Sequence, residues 1–209
     1  MTSPVQYLES SKVQEVASQL AREGYEVHVS PGGLDNGYDI VASLGKRKVA
    51  VQVKANAQLK ASAETIKQLR KRAFQDGFDE FRLVVVSPPH ERKVAIEGLG
   101  QKLLTYMCNN LPSELIRISA TVRRIAHIDI DSIDIGADGT RVAGSGAVDV
   151  DVERGNEDGE PFWSAGFPPG ASEPNRWNTD FPFAFDVTLN RSLEIAEVNR
   201  LEVDTSSFD

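Results

Sequence analysis

Apolar residues recur at Val5, Leu8, Val13, Val16, Ala17 and Leu20, the spacing of a helix with one inward face. Ser3 and Pro4 open that helix, because proline in a first turn forfeits no hydrogen bond, and Gly24 stops it. Residues 25–30 then alternate as a strand, and Pro31, Gly32 and Gly33 form a loop. Two short strands follow at 40–42 and 49–53, joined by a turn at Leu44, Gly45 and Lys46. Residues 62–74 read as a helix that ends near Gly77. Leu83, Val84, Val85 and Val86 stand in a row, as in a buried strand paired parallel to a neighbour, and Pro88 and Pro89 break it. Residues 91–110 read as a second long helix.

The pattern changes after residue 118. Residues 121–125 and 127–135 alternate at period two, and Ala137, Asp138 and Gly139 make a turn. Residues 141–152 form another strand, where Gly144 and Gly146 signal a bulge or a close approach of backbone. Residues 154–180 read as a loop rich in Gly, Pro, Asn and acids, in which Phe162, Trp163, Phe167 and Trp177 suit contact with a partner. Residues 181–189 and 193–203 make a hairpin around Asn190 and Arg191, and the tail 204–209 is expected to be exposed. The fold class is mixed α and β: an αβββαβ core over 1–118, then an antiparallel β-rich domain over 119–209.

Candidate chemistry sits in the first half. Asp39 lies at the start of one strand, and Gln52 and Lys54 lie at alternate positions of the next, so they share a face. A carboxylate and an amide oxygen can hold Mg²⁺, which takes oxygen ligands and keeps several waters. A lysine beside them can stabilise phosphate charge or help to activate a water. By spacing alone, a turn aspartate, a polar outward glutamine and a solvated lysine explain the same letters.

The motif and its order resemble the PD-(D/E)xK, or restriction-endonuclease-like, nuclease superfamily. Gln52, Val53 and Lys54 resemble the Q-x-K variant of the Mrr-type branch, with Gly37, Tyr38 and Asp39 as the acidic position. Residues 20–27, a helix end running into a strand, have the same look, and the likeness covers about 1–110. The resemblance implies a metal-dependent DNA endonuclease with Asp39 and Gln52 as metal ligands, Lys54 as the catalytic lysine, and Mg²⁺, replaceable by Mn²⁺, as cofactor. It also implies a glutamate from the first helix. On a helical wheel at about 100° per residue, Glu9 falls within the apolar face and Glu15 to its side, so Glu9 is favoured and Glu15 is the alternative. A non-catalytic module of the same fold, binding nucleic acid or a protein in a larger complex, is the competing reading.

Charge sharpens the division. Residues 1–118 carry 16 Lys and Arg against 13 Asp and Glu; residues 119–209 carry 7 against 18, within a formal total of −8. Lys46, Arg47, Lys48, Lys60, Lys67, Arg70 and Lys71 cluster around the motif as candidate contacts to a DNA backbone. The acidic half suggests a protein partner or a restraint on the basic groove. Asp129, Asp131, Asp134, Asp149 and Asp151 read as the solvent face of a sheet rather than a Ca²⁺ site. A double-strand cutter with one site per chain calls for a homodimer. A single cysteine, Cys108, no leader and no membrane-length apolar run fit a cytoplasmic protein, in the setting of prokaryotic defence or a mobile element. His28, His90 and His127 have no ligand spacing.

Overall fold

Helix α1 (Pro4–Arg22) buries Val16, Ala17 and Leu20 and ends where Gly24 turns to φ 91°. There the amides of Gly24 and Tyr25 return to the carbonyls of Ala21 and Leu20, the paired bonds of a Schellman stop. The computed structural model describes residues 4–30, 38–55, 58–86, 93–153 and 176–208. The expected loop at 31–33, the Pro88–Pro89 break, His90 and the aromatic residues Phe162, Trp163 and Phe167 lie outside them, as does the side chain of Trp177.

Strands β1 (Glu26–Val29), β2 (Ile40–Leu44) and β3 (Arg47–Lys54) form an antiparallel meander, with Val29 opposite Ile40 and Ile40 opposite Val51. Gly45 at φ 61° makes the tight turn between β2 and β3. Strand β4 (Gln58–Ala61) leads into helix α2 (Ala63–Gln75), capped by the Ser62 hydroxyl accepting from the Thr65 amide at 3.2 Å. Strand β5 (Glu80–Val85) returns parallel to β3, Val53 opposite Val84, so β3-α2-β5 is a crossover unit. Val49, Val51, Val53 and Val84 share one core with Val16, Ala17 and Leu20 of α1. Burial is worth roughly 1.5–3 kcal/mol for each larger aliphatic side chain. Helix α2, with Ile66 and Ala73 buried, packs against β5.

Residues 91–110 are not one helix. Strand β6 (Lys93–Ile96) pairs parallel to β4 in a second small sheet, Gly98 at φ 72° breaks the chain, and α3 spans Leu99–Asn109. Val94 and Ile96 are buried at period two, whereas Leu99, Leu103 and Met107 are buried at period four. A short helix, α4 (Ser113–Arg117), follows. Then come β7 (Ala120–Ile135), β8 (Thr140–Glu153), β9 (Arg176–Leu189) and β10 (Ile195–Val203). Of the expected loop over 154–180, the last five residues, 176–180, begin β9 instead, and the rest lies outside the described residues. The tail is not wholly exposed: Thr205 is buried and its hydroxyl accepts from Arg117 at 3.2 Å.

The large sheet has the order β1-β2-β3-β5-β7-β8-β9-β10, and β7 joins β5 antiparallel, Phe81 opposite Ile135. The chain forms two compact units. One comprises Met1–Leu99, Asp129–Ser145 and Phe185–Arg200; the other Gly100–Ile128, Gly146–Ala184 and Leu201–Asp209. These units interleave along the chain, whereas the expected domains, 1–118 and 119–209, are single runs. In the first unit Gly144 lies against the Asp129 carbonyl and the Phe185 ring; in the second, Gly146 lies against the His127 carbonyl and the Phe183 ring. The two glycines thus mark close backbone approach.

Candidate metal and phosphodiester site

Strand β3 runs past the start of β2, and this overhang creates the site. Ile40, the first residue of β2, faces Val51. Beyond it, the Val53 and Ala55 amides point toward the β2 side with no β2 carbonyl to receive them. Two carboxylates take that place. Asp39 Oδ2 accepts from the Val53 amide at 2.7 Å, and Glu9 Oε1 accepts from the Ala55 amide at 2.8 Å. Successive same-side amides on a strand are roughly 7 Å apart, so an acid from α1 and an acid from the β2 lead-in meet neighbouring rungs of one strand. On the opposite side, the Lys54 carbonyl is taken by the Val86 amide at 3.0 Å.

Asp39 is tied down through its main chain as well. Its amide donates to the Val51 carbonyl at 2.8 Å, and its carbonyl accepts from Ser30 at 3.0 Å. Val51 and Val53 face the α1 core, so the strand pleat turns Gln52 and Lys54 to the other face. Gln52 is half-buried and Lys54 is exposed. Among the described residues, Lys54 makes no ion pair with Asp39. Each carboxylate spends one oxygen on a backbone amide in these bonds. The remaining carboxylate oxygens are hard donors of the kind that Mg²⁺ takes while it retains waters of its own. Among the described residues, no group of three or more His, Cys, Asp and Glu is placed to hold a metal.

The two helix glutamates separate. Glu9 reaches the β3 end, while Glu15 pairs with Lys12 at 2.7 Å on the helix surface.

A residue that the sequence did not single out for itself adjoins Asp39. Tyr38 is buried at 5% exposure, its ring 5.1 Å from that of Phe78 and 6.0 Å from that of Phe81. Its hydroxyl donates to Asp76 Oδ2 at 2.8 Å. Burial, then the Asp76 bond, pushes the phenol up to about 12. Tyr38 and Asp76 are 38 positions apart, so no local spacing announces the pair.

The basic residues do not all converge. Lys46, Arg47 and Lys48 lie at the opposite end of β3 from Lys54, about 20 Å away at a strand's rise per residue. Arg47 is also paired with Glu80, which holds its guanidinium above its ordinary value. Arg70 turns to the Gly139 carbonyl and the Thr140 hydroxyl, both at a long 3.4 Å, and burial lowers its pKa. Lys67 and Lys71 remain exposed on α2, Lys67 3.6 Å from Glu64. The Lys60 side chain lies outside the described residues.

The acids of the later strands depart from a plain solvent face. Asp129 and Asp149 are each 8% exposed; Arg124 pairs with Asp149 and Arg123 with Asp151. A cleft of about 620 Å³ lies in the first unit, lined in part by Glu15, Arg82, Asp134, Arg141 and Asp186. It does not include Asp39, Gln52 or Lys54, so the strand-end geometry, and not the cleft, marks the candidate site.

The meander with its parallel crossover strand and flanking helices is consistent with a restriction-endonuclease-like fold. Residues 12–89 match the Mrr_cat family model, described as a restriction endonuclease, which agrees with the PD-(D/E)xK resemblance. No curated protein matches the chain. Domains of this class generally use divalent metal ions and act on DNA. Among the described residues, no helix is long and apolar enough to cross a membrane.

Proposed function

We propose that the chain is a metal-dependent DNA endonuclease that hydrolyses phosphodiester bonds at the β3 strand end. The observation that carries this is the meeting of Asp39 and Glu9 on the Val53 and Ala55 amides at the end of β3, either side of Lys54 in the chain. A bound Mg²⁺, or Mn²⁺ in its stead, would supply charge neutralisation on the phosphate and a more acidic water. Asp39, Glu9 and Gln52 would hold it. Lys54, exposed and without an ion pair to Asp39 among the described residues, is available to a phosphate oxygen or the attacking water. A decayed, purely binding module is expected to lock Lys54 onto Asp39 instead.

Backbone contact in this reading falls to Lys67 and Lys71, two exposed cations of α2, the helix that follows β3 in the crossover unit. Arg47 and Arg70 have internal roles, and Lys46 and Lys48 would touch DNA only at a distance from the cut. One chain has one such site, so a chain acting alone nicks and a homodimer makes double-strand breaks. The acidic strands would serve a protein partner, and a cytoplasmic role in prokaryotic defence or a mobile element suits an enzyme of this chemistry.

Plasmid nicking by the full chain in Mg²⁺ or Mn²⁺ tests the reading. Lys54→Ala and Asp39→Asn are each expected to lower the rate at least about a hundredfold while DNA binding persists. A wild-type chain that leaves plasmid intact at every metal concentration, yet binds it as Lys54→Ala does, overturns the enzyme in favour of the binding module.

A further inference from the structure

The residue before Asp39 is fastened to the far end of α2. Asp76 is the C-cap of that helix, and its amide donates to the Arg72 carbonyl. Gly77 at φ 83° and Phe78 close the helix, with their amides on the carbonyls of Phe74 and Ala73. This rigid stop presents the Asp76 carboxylate to the Tyr38 hydroxyl at 2.8 Å and the Phe78 ring to the Tyr38 ring. Arg72, one helical turn earlier, stands 6.0 Å from the same ring.

We propose that Tyr38 is a positioning residue for Asp39, held by Asp76, and that the pair sets how the Asp39 carboxylate meets β3. The proposal rests on the metal-site reading of Asp39. Adjacent Cα atoms are held about 3.8 Å apart, so the place of the Tyr38 backbone limits where Asp39 can lie. The sheet holds Asp39 from both flanks, through Val51 of β3 and Ser30 at the end of β1, and the phenol fastens the residue before it. Packing alone would be met by phenylalanine. The hydroxyl adds one directional bond to a fixed helix end, which selects a single height for the ring. Carboxylates that ligate metals depend on such outer contacts, and their loss typically weakens metal binding about 10- to 100-fold.

The test uses the full chain with Tyr38→Phe, Asp76→Ala and Asp76→Asn. Two readings are taken: Mn²⁺ affinity from the free-ion spin-resonance signal, and hydrogen exchange of the Val53 amide, whose acceptor is Asp39. Tyr38→Phe retains the ring and is expected to keep the fold. Expected results are Mn²⁺ binding about tenfold weaker, with faster Val53 exchange, in Tyr38→Phe and Asp76→Ala. Asp76→Asn keeps a carbonyl acceptor and is expected to restore both. Cleavage should then be recovered by excess metal, a change in metal requirement rather than in the saturated rate. Unchanged Val53 exchange in both Tyr38→Phe and Asp76→Ala overturns the clamp. Faster exchange in a protein whose wild type binds no Mn²⁺ upholds the clamp and overturns the metal site on which its role depends.

Discussion

Asp134 and Asp186 show how the same residue type takes opposite characters. Asp186 receives the Arg141 guanidinium on both oxygens, with Nε bonds of 2.8 and 3.1 Å, and Asn199 as well at 3.1 Å. That bonding holds its carboxyl below the ordinary range. Asp134 has Arg82 Nε at 2.9 Å, but the N–H is not aimed at the oxygen, and neither buried atom makes a hydrogen bond. Burial therefore dominates and pushes Asp134 up to about 6, against the pull of Arg82. Folded Asp134 holds its proton to higher pH than the unfolded chain, whose value is near 3.8. Its contribution is most favourable below the unfolded value and is lost as pH rises through about 4 to 6. Asp134→Asn is neutral throughout. Relative to wild type it should gain on the order of 2–3 kcal/mol between pH 4 and pH 7, read by urea unfolding at each pH. A mutant-to-wild-type difference that is flat with pH would contradict this assignment. In the sequence Asp134 was one acid in an alternating run; its partner is 52 positions upstream, on a strand the alternation says nothing about.

Elements with one clear period were legible, and elements with mixed periods were not. Helix α1, the β2-β3 hairpin, α2 and the parallel β5 carry a single repeat bounded by Gly24, Gly45 and Gly77, each at positive φ. Strand β6 and helix α3 abut across Gly98, and their apolar residues merge into one run unless the period is seen to change at that glycine. The strand positions of Asp39, Gln52 and Lys54 were readable because the hairpin sets them by local register. The overhang of β3 was not, because it depends on where β2 begins. At Gly144 the constraint is steric. A Cβ there meets the Asp129 carbonyl and the Phe185 ring at 2.9 Å, so backbone or a core aromatic must move. Gly144→Ala should cost at least about 2 kcal/mol, the scale of overpacking. Gly136→Ala, whose Cβ finds the Gly139 carbonyl 3.8 Å away, should cost less than about 1 kcal/mol. Equal melting temperatures for the two variants would remove the close-approach explanation of Gly144.

The charge boundary near residue 118 suggests a nuclease half that works alone and an acidic half that can be cut away. Strand pairing argues for another result. Strand β5 carries Leu83 and Val84 between β3 and β7, and β7 supplies Ile133 and Ile135 opposite Leu83 and Phe81. All five belong to the unit that holds the candidate site, which also draws on Phe185–Arg200. A chain ending at 118 keeps every motif residue but strips β5 of its antiparallel neighbour. The Leu83, Phe81 and Val85 row would then border an open strand edge, which invites aggregation. Composition follows sequence order, whereas burial follows pairing across it, and this is why the charge step does not locate the fold's own seam. Residues 1–118 expressed alone should therefore lack a cooperative thermal transition and aggregate, and mixing with 119–209 should restore nicking if the halves associate. A soluble, cooperatively melting 1–118 that cleaves plasmid as fast as the full chain would refute this argument. It would also show that β7 shields the nuclease strands without completing them.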